Sequence, residues 1–326
     1  MVIMKSFNHG HIRTLNFCPS IIIYYIQCSS QSILNNYKLF IMKTVNRRKF
    51  IGQTAKGLGA AFAFSQLPSD LFANATRPIG FQSFALRENI GKDFPGTLKM
   101  MSGLGYQEIE MCSPPGYMDS GFGPLATMKA SEMRRIIEDA GLKCPSCHFT
   151  FTELKDKLDD SIEFAKALGM EHMVCSSFWL PKTATMKDYL ASADTLNKAA
   201  EKISKAGLQA GFHNHEMEFE KIDGVLIYDA LMGELDPKLV KMQFQTEVIT
   251  MGYKASRYFS KYPGRFISSH LSDWTADKKA VPIGKGIIDW KEYFAAAPTG
   301  GVKHFFVEME PETFKESAAY IHGILG

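Results

Sequence analysis

The stretch GFHNHEMEF, residues 211–219, sets two histidines one residue apart at the end of an apolar run. Side chains alternate along a strand, so His213 and His215 share a face, with Cα atoms roughly 6.5 Å apart. Phe212 and Asn214 point the other way. Two imidazoles on one face can share a metal, bracket a substrate, or stand as half-buried polar residues. Other short apolar runs carry similar residues on a single parity. YQEIEMC offers Glu108 and Glu110, and LKCPSCHFTF carries His148 near its end. VKMQFQTEV carries Gln243, Gln245 and Glu247, FISSHLSDW carries His270, and KHFFVEM carries Glu308. These residue types ligate divalent metals and move protons. Buried polar groups need partners, so such a ring must serve its own members, a metal or a polar ligand.

The elements that would position this ring repeat along the chain. From residue 79 onward, strand-like runs (IGFQSFAL, YQEIEMC, LKCPSCHFTF, MEHMVCSSF, LQAGFHNH, VKMQFQTEV, FISSHLSDW, KHFFVEM) alternate with amphipathic segments. TMKASEMRRIIEDAG, KLDDSIEFAKALG and KDYLASADTLNKAAEKISKAG are examples, and the last is PETFKESAAYIHGILG. Several end in Gly just before the next strand, as helix C-termini prefer. Eight strand–helix units in about 250 residues predict a single-domain (β/α)8 barrel, an α/β TIM barrel with its site at the C-terminal strand ends. A doubly wound sheet would bring a Gly-rich phosphate loop after the first strand, and FALRENIGKDF is not one.

The 326 residues are 45% hydrophobic and 22% charged with a net charge of +3, which gives no reason to expect nucleic acid as a partner. Residues 1–41 contain no Asp or Glu, and their apolar runs are too short and interrupted for a membrane span. We expect them to be an upstream extension without structure, with translation beginning at Met42. From there MKTVNRRKFIGQTAKGLGAAFAFSQLPSDLFANA has an Arg47–Arg48 pair, Phe50, a Gly/Ala run, and Ala73-x-Ala75. This order resembles a twin-arginine export signal over residues 42–75. The expected mature chain is 76–326, in the periplasm or cell envelope. Cys144 and Cys147 have redox spacing but do not open a helix, so they read as a strand-end pair, an exported disulfide being the alternative.

GFHNHEMEF, FISSHLSDW, VPIGKGIIDWKEYF and KHFFVEME resemble the sugar phosphate isomerase/epimerase family with the xylose isomerase-like TIM barrel, over residues 79–326. The resemblance implies one divalent metal held by Glu, Asp, His and Glu at strands five to eight, and proton transfer next to a sugar carbonyl through an enediolate. His270 and Glu308 match the last two positions. Strand five offers His213 or His215 where Glu is usual, and strand six offers Gln245 where Asp is expected. We assign the metal ring to His213, Gln245, His270 and Glu308. Loss of two anionic ligands favours Mn, Zn or Co over Mg. These departures place epimerisation or β-elimination from a keto-sugar beside isomerisation.

His215, nearer the mouth, is assigned to substrate or proton relay, and Glu247 could restore a carboxylate beside Gln245. Glu110 and His148 are expected to contact substrate, since strands two and three lie across the mouth from seven and eight. Trp179 could supply a sugar-stacking platform or rim packing. Lys285, in Gly284-Lys285-Gly286, resembles the family's substrate-side loop, and the spacing is too loose for a phosphate cradle. His172 and His304 begin strands at the opposite end and read as structural. The partner expected is a small sugar or keto-sugar, and the sequence is silent on oligomeric state. The alternative function is a non-catalytic carbohydrate-binding barrel that has lost part of its metal site.

Overall fold

The computed structural model describes residues 77–325 and, in a separate N-terminal unit, the strands Lys5–Phe7, Gly10–Cys18, Ile21–Gln27 and Met42–Lys43. These four pair antiparallel in sequence order. The export signal expected over 42–75 otherwise lies outside the described residues, as does the mature start near Thr76.

Eight parallel strands close into a barrel in chain order: β1 (Ile79–Gln82), β2 (Glu108–Cys112), β3 (Lys143–Phe149), β4 (His172–Cys175), β5 (Gln209–His213), β6 (Val240–Gln245), β7 (Phe266–Leu271) and β8 (His304–Val307). Each falls within one of the eight apolar runs read from the sequence. Helices cover the outside, among them Ala130–Asp139, Leu158–Leu168, Met186–Lys205 and Phe314–Leu325. The helix Leu158–Leu168 stops at Gly169, whose φ of +84° admits a residue without Cβ most readily and whose N–H bonds Ala165 and Lys166 carbonyls. Among the described residues no helix is long and apolar enough to cross a membrane.

Alternation explains how the strands serve two cores. In β8, Phe305 points outward and meets Phe294 of the covering helix Trp290–Gly300, ring centroids 5.3 Å apart. Phe306 points inward, where it stands between His270 and His304 at 6.3 and 6.1 Å. An eight-stranded barrel has an interior just wide enough for side chains to fill, so large inward residues need small ones opposite. A Cβ added to Gly80 of β1 would lie 2.5 Å from the Phe306 ring, and one on Gly211 of β5 would lie 2.9 Å from Val174. Gly80 and Gly211 make room for the middle layer. Gly80→Ala should therefore lower stability by about 1–3 kcal/mol by overpacking, and Phe306→Leu in the same chain should recover part of the loss. Denaturant unfolding of the single and double variants checks this; equal losses that simply add would show that the two positions do not compete for space.

Candidate active site at the barrel mouth

Strand β5 ends at His213, and the next two residues leave the ladder. Asn214 Oδ1 accepts the Gln245 N–H at 3.2 Å, tying β5 to β6. The His215 N–H goes to the Glu218 carboxylate at 2.7 Å, and the chain turns into the 3-10 segment Glu216–Phe219. Glu218 also accepts Ser177 Oγ at 2.8 Å, and burial pushes its carboxyl up to about 7. The two histidines still meet: their ring centroids are 4.8 Å apart.

Register brings the other site residues level with them. Gln245 sits beside His270 and Cys112 beside His148 in the ladders. The His213 ring lies 4.3 Å from His270 and 4.9 Å from His148, while His148 stacks on His270 at 5.0 Å. One ligand atom from each of His148, His213 and His270 falls within 4.8 Å of the others. Above them opens a cavity of about 300 Å³, lined by His148, His213, His215, Gln245, Glu247, Glu308 and the aromatic rings of Phe84, Tyr117, Trp179 and Trp274.

Under the imidazoles lies the Glu110 carboxylate, fully buried. Its Oε2 accepts from Gln82 Nε2 at 2.7 Å and pairs with His270 Nε2 at 2.5 Å; its Oε1 accepts from Ser146 Oγ at 2.5 Å and Gln243 Nε2 at 2.7 Å. His148 Nε2 is 3.3 Å away and bonds Gln243 Oε1 at 2.6 Å. His270 bridges the two carboxylates, because its Nδ1 meets Glu308 Oε2 at 2.8 Å. Gln245 Nε2 donates to the same Glu308 oxygen at 2.7 Å.

Charge follows from this wiring. Burial would lower the His270 pKa, but Glu308 and Glu110 prevail and raise it to about 9, so it is an imidazolium at neutral pH. Burial would likewise raise Glu110, and the neighbouring imidazoles with the Ser146 hydroxyl hold it down to about 2. His270 is the partner that carries the charge, since burial lowers His148. Glu308 is lowered by His270 against its own burial. Burial, then the His270 charge, drives His213 well below its usual value, and burial takes His215 to about 4. Burial followed by Glu216 and Glu308 lifts Glu247 to about 7.

Several expectations change. Glu110 and His148 do not stand apart from strands β7 and β8; the narrow interior lets Glu110 reach across to His270, and His148 joins the imidazole cluster. Gln245, level with His270, supports Glu308 through its amide. Glu247 lies past the strand, in the 3-10 segment Thr246–Met251, and lines the cavity wall. Lys285 is exposed and outside the cavity lining; its loop is held by buried Asp273, whose carboxylate takes the Gly284, Gly286 and Ile288 N–H groups and Trp290 Nε1. Trp179 does reach the rim, with its ring 4.7 Å from His215. Cys144 and Cys147 are free, buried thiols. Gln82 and Ser146, which complete the Glu110 network, were signalled only by sharing inward parity with Gly80 and His148.

The donor set can be tested against a metal. His213 Nδ1 and His215 Nδ1 are buried without a hydrogen-bond partner, and an orphaned imidazole nitrogen is costly unless something completes it. Three imidazoles beside the Glu308 carboxylate suit a divalent ion that accepts nitrogen donors. Glu110 on His270 Nε2 supplies the carboxylate–histidine support typical of metal-binding imidazoles.

A family model described as xylose isomerase-like TIM barrel matches residues 98–324. Among solved structures, the chain is similar to a sugar phosphate isomerase/epimerase from Parabacteroides distasonis ATCC 8503, at 24% identity and a TM-score of 0.67 over 77% of this chain and 95% of that one. It is also similar to a probable 3-DHS dehydratase involved in petrobactin synthesis from Bacillus anthracis, at 11% identity and a TM-score of 0.60, covering 76% and 98%. The IOLI protein with a bound zinc atom aligns at 16% identity and a TM-score of 0.55, covering 76% and 95%. A search of curated proteins found no match.

The wiring sets a pH dependence of stability. Glu110 stabilises fully above its ordinary 4.5 and loses that contribution as pH falls toward about 2. His270 stabilises fully below its ordinary 6.5 and loses that contribution as pH rises through about 9. Unfolding of chelator-treated protein should show a decline in stability from pH 6.5 toward 9 that flattens in His270→Gln. A wild-type curve already flat over that window would show that His270 does not carry the charge.

Proposed function

The chain belongs to the xylose isomerase-like TIM-barrel family, and from that premise we propose that its mouth cavity is the active site of a divalent-metal-dependent sugar isomerase, epimerase or keto-sugar lyase. The observation that carries this reading is the convergence of ligand atoms from His148, His213 and His270 within 4.8 Å, beside Glu308 in a cavity of about 300 Å³. His213, His148, His270 and Glu308 would hold the metal, with Gln245 fixing the Glu308 carboxylate. A bound divalent ion supplies positive charge for the oxygen of an enediolate. The neutral donors favour Zn, Mn or Co over Mg.

The remaining steps belong to the protein. His215 lines the cavity, and burial keeps it neutral. It takes the proton from the carbon next to the carbonyl, leaving the electron pair in the enediolate. Glu247, brought to about 7, sits near working pH for an acid–base group. Returning the proton to the same carbon from the Glu247 side gives epimerisation, and to the neighbouring carbon gives isomerisation. Loss of a β-substituent from the same intermediate gives elimination. Trp179 is 55% exposed with φ of +50°, a backbone state that costs free energy in a non-glycine residue. That cost is repaid if its ring serves as a stacking platform for a sugar face.

The test is His213→Ala and His215→Ala, purified without a histidine tag, each assayed for bound metal and for deuterium uptake from D2O by keto-sugars and oxidised disaccharides. The first should lose metal; the second should keep metal and lose about 10²–10⁴-fold in exchange rate. Metal kept in both would remove β5 from the ligand set. Sugar binding without metal or exchange in the wild type would favour the carbohydrate-binding alternative, which the neutral Gln245 also suits.

We place the enzyme in the periplasm or cell envelope, on the strength of Arg47–Arg48 and Ala73-x-Ala75. A free rather than phosphorylated sugar suits that location. N-terminal sequencing from the native host should find a start close to Thr76, and a chain retaining Arg47–Arg48 would refute export by cleavage.

A further inference from the structure

The opposite end of the barrel holds a second set of histidines that the chemistry at the mouth does not use. His172 begins β4 and His304 begins β8, strands on opposite walls, and their ring centroids lie 5.3 Å apart inside the barrel. His172 is 5% exposed, and neither of its ring nitrogens has a hydrogen-bond partner. An imidazole always carries at least one N–H, so one donor and one acceptor are buried there unpaired, which costs free energy unless a ligand or water completes them. His304 is oriented: its Nδ1 meets the buried Glu108 carboxylate at 2.8 Å, which leaves Nε2 as the free nitrogen. A carboxylate on one nitrogen of an imidazole is the arrangement that prepares the other for a metal. Glu171, exposed and next to His172, adds a carboxylate, and one ligand atom from each of Glu171, His172 and His304 lies within 4.8 Å of the others.

We infer that Glu171, His172 and His304 form a second divalent-metal site, with Glu108 as the support of His304. Two imidazoles and one carboxylate match the donors of a three-ligand zinc centre whose fourth position is left to water. Glu108, Glu138 and Glu171 share a cavity at this end with Arg134 and Lys143, and Lys303 acts on His172, so the charges nearly balance and the ligand geometry carries the inference. This end of a (β/α)8 barrel serves stability rather than catalysis. A metal here would tie β4 to β8 across the barrel, joining strands that share no hydrogen bonds.

The experiment uses untagged full-length protein, stripped with chelator and titrated with zinc, with bound zinc counted by elemental analysis and thermal unfolding followed in parallel. His172→Asn removes a ligand, and Glu171→Gln alters an exposed one with little risk to folding. The wild type should hold one more zinc per chain than His172→Asn. Glu171→Gln should weaken that site at least about 10-fold. The zinc-dependent rise in melting temperature should shrink in both. These differences are counted against the wild type, so they stand whether or not the mouth holds a metal. Identical zinc content and an identical zinc-dependent shift in all three proteins would overturn the site and leave water as what completes His172.

Discussion

A carboxylate buried in the middle of a barrel fixes much of this molecule. Glu110 has no access to water, and an uncompensated charge in such a place costs several kcal/mol. Four side chains from four other strands, Gln82, Ser146, Gln243 and His270, answer it. Each must reach the same two oxygens, so the inward parity and register of β1, β2, β3, β6 and β7 are all constrained by one residue. The mouth inherits its geometry from this arrangement. His270 is held from below by Glu110 and from above by Glu308, and His148 is positioned by Gln243, itself a donor to Glu110.

The proton on His270 links that structural role to chemistry. Two carboxylates raise the imidazole to about 9, so in the metal-free protein a proton supplies the positive charge that the paired acids require. A divalent ion would compete with that proton, since metal ligands must be deprotonated. The flanking His213 and His215 stay neutral for the complementary reason: burial and the nearby His270 charge both oppose a second positive charge. One charged imidazole among three neutral ones is thus set by the placing of two acids.

The strand order, the fold and the inward parity were legible in the sequence because they depend on alternation, which is local. Eight apolar runs became eight strands, and His148, His213, His270 and Glu308 faced inward as their spacing required. Distance across the barrel was not legible. Alternation tells which way Glu110 points but not how far it reaches, and so its meeting with His270 went unread. Strand ends were also hidden. The β5 ladder stops at His213 because Asn214 and the buried Glu218 capture the next backbone groups, and β6 gives way to a 3-10 turn before Glu247. Asp273 was visible two residues from the β7 end, but its capture of the loop bearing Lys285 needs four donors that are separated in sequence.

The same pairing of histidine with glutamate recurs at both ends of the barrel, His270 with Glu110 and Glu308 above, His304 with Glu108 below. Glu108 and Glu110 are two residues apart on β2 and therefore share its inward face, one serving each end. What separates the two clusters is Phe306, whose ring stands between His270 and His304 and fills the space that Gly80 leaves open. The ring separates them only in part, because Ser146, level with His172, donates to Glu110 and Ser268, level with His304, accepts from Gln243. A narrow interior makes both features necessary. Polar side chains within it must find partners in the same or an adjoining layer, and the large Phe306 ring packs where Gly80 has no side chain.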